Sequence, residues 1–118
     1  MEGRATKARR RTPPLSHQGI DEVLQRLRKA YRPQFIYLFG SQSRGDAGPD
    51  SDYDLLLVVN DDAPLERRRS RLAYEVLRGT KLATDVLVCT RSYFEARRHL
   101  RASLPGTVLR EGILLHAE

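Results

Sequence analysis

Five apolar residues in succession, from Leu55 to Val59, place the strongest constraint on how this 118-residue chain folds. Successive side chains of a strand point to opposite faces, so an unbroken apolar run predicts a central strand that is covered on both sides. Asp52, Tyr53 and Asp54 come directly before the run. We therefore predict a strand over residues 52–59 that begins with two carboxylates on one face and Tyr53 on the other.

Helical and extended patterns alternate along the first half of the chain. Apolar residues at helical spacing predict a first helix from a Ser16 N-cap to Tyr31, because Pro33 excludes Arg32 from the helical conformation. A strand is predicted over residues 34–39, where it stops at Gly40, and a short turn or helix over residues 41–45.

The second half continues the alternation. A helix is predicted from Pro64 to Gly79, and its buried stripe consists of Leu65, Leu72, Ala73, Val76 and Leu77. A third strand follows over residues 82–89, and the capping-box spacing over residues 92–95 predicts a helix to about Leu100. Pro105 and Gly106 separate a last short helix from the apolar run 113–115. Strands that alternate with helices predict one α/β domain over residues 15–118.

The basic residues are concentrated at the N-terminus. Residues 1–14 contain five basic residues and one acidic residue and so account for four of the six net positive charges. We interpret this segment as a disordered basic tail, and the nearly neutral remainder indicates no nucleic-acid groove. A single cysteine, Cys89, and the lack of an apolar run of membrane-spanning length favour a cytoplasmic protein that has no disulfide and no membrane partner.

One group of residues indicates chemistry. Gly40-Ser41 ends the first predicted strand, ten residues follow, and then come Asp52 and Asp54. Two carboxylates on one face repel each other unless a proton or a cation separates them, and Mg²⁺ prefers carboxylate and phosphate oxygens. Gly40 and Ser41 would offer backbone N–H groups and a hydroxyl to a phosphate, and Arg44 would neutralise its charge.

Asp85 is the third candidate carboxylate. It interrupts an apolar strand, where a charge is costly unless it is paired or bound to a metal. If this strand lies beside the Asp52 strand, Asp85 faces the same metal site, and two metals on three carboxylates suit nucleotidyl transfer. The alternatives are an edge position that faces water and an ion pair with Arg44 or Lys81.

These motifs resemble those of the DNA polymerase β-type nucleotidyltransferase superfamily. Residues 39–45 (FGSQSRG) and 51–55 (SDYDL) more closely resemble its minimal nucleotidyltransferase (MNT) group, and the resemblance spans residues 16–117. It implies a small nucleotidyltransferase fold, in which helices flank a mixed β-sheet. It also implies a Mg-dependent enzyme with ATP as substrate and two Mg²⁺ ions.

The resemblance also implies roles for the site residues. Asp52 and Asp54 would hold both metals and the triphosphate, and Asp85 would ligate the catalytic metal and help to deprotonate the acceptor hydroxyl. Gly40 and Ser41 would bind the departing phosphates. The acceptor would attack the α-phosphorus, which gives an adenylylated acceptor and pyrophosphate.

The acceptor itself is expected to come from another molecule. Family members that modify antibiotics or RNA carry a further domain for it, whereas this sequence ends soon after Leu115. We therefore expect a partner protein or a homodimer. Many stand-alone MNT proteins are antitoxins of HEPN-domain ribonuclease toxins, which they adenylylate on a tyrosine, bind, or both. The resemblance thus implies a protein adenylyltransferase antitoxin with a helical HEPN-type partner. The alternatives are a non-catalytic antitoxin that acts by binding and a small-molecule nucleotidyltransferase.

The remaining candidate side chains are interpreted as structural. The three histidines show no metal-ligand spacing, and Cys89 has no obvious neighbouring base. The five tyrosines are interpreted as packing residues, and the arginines over residues 67–71 as the solvated face of a helix.

Overall fold

The computed structural model describes residues 9–10, 19–44 and 52–118 of the chain. Helices and strands alternate within these ranges, as the sequence predicts. The elements in chain order are β1 (Arg9–Arg10), α1 (Ile20–Tyr31), β2 (Phe35–Phe39), α2 (Ser41–Arg44), β3 (Tyr53–Val59), a 3-10 helix (Leu65–Arg68), α3 (Arg71–Val76), β4 (Thr84–Thr90), α4 (Arg91–Arg97), α5 (Leu104–Glu111) and β5 (Ile113–Ala117).

The strands form one mixed sheet in the order β1-β5-β2-β3-β4. β3 pairs antiparallel with β2 and parallel with β4, and β2 pairs antiparallel with β5. The apolar run from Leu55 to Val59 therefore lies inside the sheet, and each of its residues is at most 1% exposed. This confirms the predicted central strand. β4 lies at an edge, because no described strand pairs with its other side.

Helices cover both faces of the sheet. α1 and α3 pack on the face that carries Leu55, Leu57 and Val86. α4 and α5 pack on the opposite face, which carries Leu56 and Val58. Alternate residues of β3 thus contribute to two separate cores, which confirms the α/β class. No helix in the described ranges is long and apolar enough to cross a membrane.

The single helix predicted from Pro64 to Gly79 is wrong, because the structure divides it at Arg69. The 3-10 helix ends before Arg69, whose backbone is extended, and α3 begins at Arg71. Tyr31 satisfies the backbone at this break: its hydroxyl donates to the Arg69 carbonyl and accepts from the Ala73 N–H at 2.9 Å. Leu65 is 53% exposed, so it does not belong to the buried stripe.

The predicted capping box of α4 is also wrong. Thr90 is the N-cap residue and accepts a hydrogen bond from the Tyr93 N–H at 3.3 Å. Ser92 instead bonds through its N–H and its hydroxyl to the carboxylate of Asp61. Asp61, which is distant in sequence, therefore binds the serine that local spacing assigned to the N-cap of α4.

The N-terminal segment contributes one short strand. The backbone of β1 pairs parallel with Ile113 and Leu114 of β5. The rest of the basic tail predicted over residues 1–14 lies outside the described residues, and so does Ser16. Gly19 is the residue that precedes α1 at the N-cap position.

Candidate active site

Two of the predicted carboxylates meet where β3 and β4 lie side by side. The parallel register pairs the Cα of Asp54 with the Cα of Asp85, so the two side chains occupy neighbouring positions on one face of the sheet. Asp52 is exposed and lies directly before the first residue of β3. The strand pairing that the sequence analysis required for Asp85 is therefore present.

The charges of the other two carboxylates act on Asp54. Burial raises the pKa of Asp54 above its ordinary value, and the negative charges of Asp85 and Asp52 raise it further. The guanidinium of Arg44 has a smaller, opposing effect on the same pKa. A divalent cation beside Asp54 would therefore be stabilising, because it would offset the neighbouring negative charges.

Gly40 provides the space that the Asp54 side chain occupies. The Cα of Asp54 pairs with that of Phe39, the last residue of β2, and Gly40 follows with φ of +76°. A Cβ atom on Gly40 would collide with Oδ2 of Asp54 and would lie 3.3 Å from its Cγ. Glycine is therefore required here both by the left-handed backbone and by the close approach of the carboxylate.

Ser43 fixes the turn that follows Gly40. Its side chain is 3% exposed, and its hydroxyl donates to the Gly40 carbonyl at 2.8 Å. The N–H groups of Ser43 and Arg44 donate to the same carbonyl at 3.1 and 3.2 Å. Sequence reasoning missed Ser43, although a serine three residues after a glycine turn is a local signal for such a bond.

Ser41 occupies the first position of α2 and is partly exposed. Because α2 has only four residues, its dipole is small, and the expected contribution of a helix dipole to anion binding is correspondingly reduced. A phosphate at this turn would depend on the Ser41 hydroxyl and on the backbone N–H groups beside Gly40.

Arg44 lies between Asp54 and the end of α5. Its Nη1 atom is 3.8 Å from Oε1 of Glu111, and the two side chains are 46% and 36% exposed. An exposed ion pair of this length contributes little to stability. The charge of Arg44 lowers the pKa of Asp54. Arg44 is also the last residue of α2, the short helix that follows Gly40.

Tyr74 is a site residue that the sequence analysis did not predict. Its hydroxyl donates to Oδ1 of Asp85 at 3.4 Å, and its side chain is 59% exposed. Asp85 is exposed and lies on the edge strand β4, as the alternative of an edge position that faces water expected. Among the described residues it forms no ion pair with Arg44 or Lys81, so the salt-bridge alternative is not realised there. Tyr74 lies outside the apolar stripe of its helix, which was the available signal that it faces outward.

The interpretation of all five tyrosines as packing residues is thus only partly right. Tyr31, Tyr37 and Tyr53 are at most 3% exposed, and Tyr53 lies on the face opposite the carboxylates, as predicted. Tyr93 is 44% exposed, and the guanidinium of Arg97 lies 3.9 Å from its ring centroid.

An open groove of about 630 Å³ lies on the same face of the sheet as the carboxylates. Leu56 and Leu87 line it and lie two residues beyond Asp54 and Asp85, respectively. Cys89 also lines the groove, and burial raises the pKa of its thiol to about 12. The thiol is therefore protonated and unreactive near neutral pH, as the sequence analysis predicted.

The carboxylates fit a hard cation by their chemistry, because all of their donor atoms are oxygens. Among residues 19–44 and 52–118, however, no three His, Cys, Asp or Glu side chains converge in an arrangement that would hold a metal ion. The oxygen donors are thus of the type that Mg²⁺ prefers, but the described residues do not form a complete coordination shell for the ion.

Comparison with known protein families gives a match to the nucleotidyltransferase domain over residues 20–115. A search of curated proteins gives no significant match.

Two solved structures are similar in fold. One is a crystal structure of a toxin–antitoxin with AMP-PNP: it is 23% identical, the TM-score is 0.56, and the match covers 84% of this chain and 74% of that chain. The other is a toxin–antitoxin MntA-HpeT mutant in which two aspartates, two positions apart, are replaced by glutamate. It is 22% identical with a TM-score of 0.56, and the match covers 83% of this chain and 73% of that chain. At these identities the likeness establishes the fold, which is the one that the sequence motifs implied.

Proposed function

Because the chain belongs to the nucleotidyltransferase domain family, we propose that it transfers AMP from ATP to a tyrosine hydroxyl of a partner protein. The partner in this proposal is a helical HEPN-type toxin, and the chain is its antitoxin. The observation that carries the proposal is the register of β3 and β4, which sets Asp54 beside Asp85, next to the turn at Gly40.

Each site residue has a defined role in this reaction. Asp52, Asp54 and Asp85 would hold two Mg²⁺ ions, which when bound would neutralise the triphosphate and favour the ionised acceptor oxygen. Asp85 accepts the proton of the acceptor hydroxyl. The acceptor oxygen then attacks the α-phosphorus, and the bond to the bridging oxygen of pyrophosphate breaks.

The departing pyrophosphate is bound at the turn after β2. The backbone N–H groups beside Gly40 and the hydroxyl of Ser41 donate hydrogen bonds to its oxygens, and Arg44 neutralises part of its charge. These donors stand ready before the reaction, because Ser43 holds the turn through the Gly40 carbonyl.

Two features support a protein acceptor. Both similar structures are of toxin–antitoxins, and one of them was crystallised with AMP-PNP. In addition, an open groove lies on the same face of the sheet as Asp85, and its lining by Leu87 and Tyr93 would suit a polypeptide segment. The alternatives are an antitoxin that acts by binding alone and a transferase with a small-molecule acceptor, and a homodimer could present the acceptor in place of a toxin.

The test is the transfer of label from α-labelled ATP to a helical HEPN-type toxin that is co-expressed with the chain. The variant Asp52→Asn with Asp54→Asn is expected to lose transfer and protection of the cell. Asp62→Asn, an exposed aspartate outside the site, is the matched control and should retain both.

The outcomes separate the three functions. If the double variant protects cells fully and no label reaches the partner, the catalytic proposal is wrong and binding alone explains protection. If label accumulates in small molecules and not in protein, the acceptor is a metabolite and the proposed toxin target is wrong.

A further inference from the structure

The hydroxyl of Tyr74 lies beside a carboxylate of the candidate active site. It is 3.4 Å from Oδ1 of Asp85, the carboxylate to which the proposed function assigns the acceptor's proton. This distance is long for a hydrogen bond between oxygens, but such contacts are often loose in catalytic sites without substrate and tighten in the reacting complex. The phenol and the proton acceptor are thus already side by side within one chain.

The fold brings Tyr74 to this position past the free edge of β4. Ala73 is buried against the face of the sheet that carries Val86, whereas Asp85, the adjacent residue, belongs to the opposite face. The side chain of Tyr74 reaches Asp85 because no described strand covers that edge. The backbone beside Tyr74 is held in place, since Ala73 donates its N–H to the buried hydroxyl of Tyr31.

Exposure distinguishes Tyr74 from the other tyrosines. Three of the five are at most 3% exposed and have hydroxyls or rings inside the two cores. Tyr93 is 44% exposed, but its ring is stacked under Arg97. Among the described residues, Tyr74 is therefore the tyrosine that combines exposure with a hydrogen bond to a carboxylate of the site.

From this arrangement we propose that the chain nucleotidylates itself on Tyr74, an inference that rests on the proposed function. The Tyr74 oxygen attacks the α-phosphorus of a nucleoside triphosphate, and its proton passes to Asp85. A phosphodiester bond forms between the tyrosine oxygen and the α-phosphorus. The bond from that phosphorus to the bridging oxygen breaks, and pyrophosphate leaves with the electron pair.

Such a modification would also regulate the site. A nucleotide attached to Tyr74 would occupy the space beside Asp85 and would exclude the acceptor of a partner. Self-modification and modification of the partner are therefore expected to compete.

The test uses the purified full chain with Mg²⁺ and α-labelled ATP, followed by denaturation, measurement of the intact mass and peptide mapping. Wild-type protein is expected to retain one covalent nucleotidyl group, located on Tyr74. Tyr74→Phe should abolish this labelling. Thr107→Val is the control, because it removes a partly exposed hydroxyl outside the site and the groove, and it should be labelled as the wild type is.

Two further measurements complete the test. Asp85→Asn is expected to slow self-labelling by about 10²- to 10⁴-fold, the usual contribution of a proton acceptor. Circular dichroism of Tyr74→Phe should match the wild type, so that loss of label cannot be ascribed to unfolding.

The failure of this inference can be told apart from the failure of the proposed function. If the partner is labelled while the wild-type chain is not, self-modification at Tyr74 is wrong and the proposed function stands. If Tyr74→Phe is labelled as strongly as the wild type, self-modification at Tyr74 is wrong, and labelling of the partner decides the proposed function separately. If neither the chain nor the partner accepts label, both are wrong.

Discussion

The carboxylate of Asp54 occupies the space into which a Cβ atom on Gly40 would project. Gly40 follows the last residue of β2, Asp54 is the second residue of β3, and the antiparallel pairing of the two strands brings them together. The glycine-serine turn and the aspartate pair are therefore one physical unit, although a segment outside the described residues separates them in sequence. A change in one motif is expected to disturb the other.

Replacement of Gly40 should damage the site more than the fold. Gly40→Ala places a side chain on a backbone with φ of +76°, which costs about 1–2 kcal/mol, and it also displaces Asp54. We expect nucleotide affinity to fall at least about tenfold, equivalent to about 1.4 kcal/mol. Gly79→Ala is the control: φ there is +90°, but a Cβ would meet nothing within 4 Å. Titration calorimetry and thermal unfolding would measure both effects, and equal nucleotide binding by the two variants would contradict the prediction.

Neutralisation of Asp54 should stabilise the protein at neutral pH. Because the folded state raises the pKa of Asp54, it binds more protons than the unfolded state between the ordinary and the raised value. Stability therefore falls as pH rises through this window, and the full cost is present above it. Asp54→Asn lacks this cost, so its melting temperature should exceed that of the wild type at neutral pH. The two should converge below about pH 4, where carboxyls are protonated.

The matched comparison is Asp61→Asn, for which we expect the opposite change in stability at neutral pH. Hydrogen bonds from the hydroxyl and the N–H of Ser92 lower the pKa of Asp61. Its contribution to stability is present above the ordinary carboxyl pKa and is lost as pH falls through the lowered value. Asp61→Asn should thus be less stable than the wild type at neutral pH.

Added Mg²⁺ should raise the melting temperature of the wild type more than that of Asp54→Asn, and an equal response would argue against a metal at Asp54.

Ser41 and Ser43 should respond differently to replacement with alanine. Ser41→Ala removes the donor proposed for the departing phosphates, and a hydrogen bond to a charged group contributes about 1.5–3 kcal/mol. We expect ATP binding to weaken by about ten- to a hundredfold with little change in stability. Ser43→Ala removes a buried bond to the Gly40 carbonyl and should lower the free energy of unfolding by about 1 kcal/mol. A phosphate role for Ser41 is wrong if both variants bind ATP equally well.

Tyr31→Phe should destabilise the protein, whereas Tyr74→Phe should not. The Tyr31 hydroxyl satisfies the Arg69 carbonyl and the Ala73 N–H at the break before α3. Its removal leaves both groups without this partner, which costs about 1–3 kcal/mol. Tyr74→Phe changes an exposed side chain and should remain within about 0.5 kcal/mol of the wild type. Urea denaturation measures both, and similar midpoints for the two variants would contradict this account of the break.

The periodic patterns predicted which helices and strands form more accurately than where they begin and end. The central strand, the end of α1 at Tyr31 and the exclusion of Arg32 from the helix follow from residues that are neighbours in sequence. The division of the predicted helix at Arg69 does not, because the group that satisfies the broken backbone is a hydroxyl from α1. The N-cap of α4 was missed for the same reason: Asp61, from another part of the chain, bonds the serine that local spacing assigned to the cap.

The start of a buried strand at two carboxylates, beside a glycine turn, could be predicted from the residues alone, since alternation along a strand and apolar burial are properties of adjacent residues. Three relationships required the folded chain: Asp85 lies next to Asp54, Gly40 leaves space for a carboxylate, and the hydroxyl of Tyr74 reaches the site. These relationships depend on which strands pair and in what register. Pairing is set by the packing of helices on two faces and is not encoded by the spacing between the motifs.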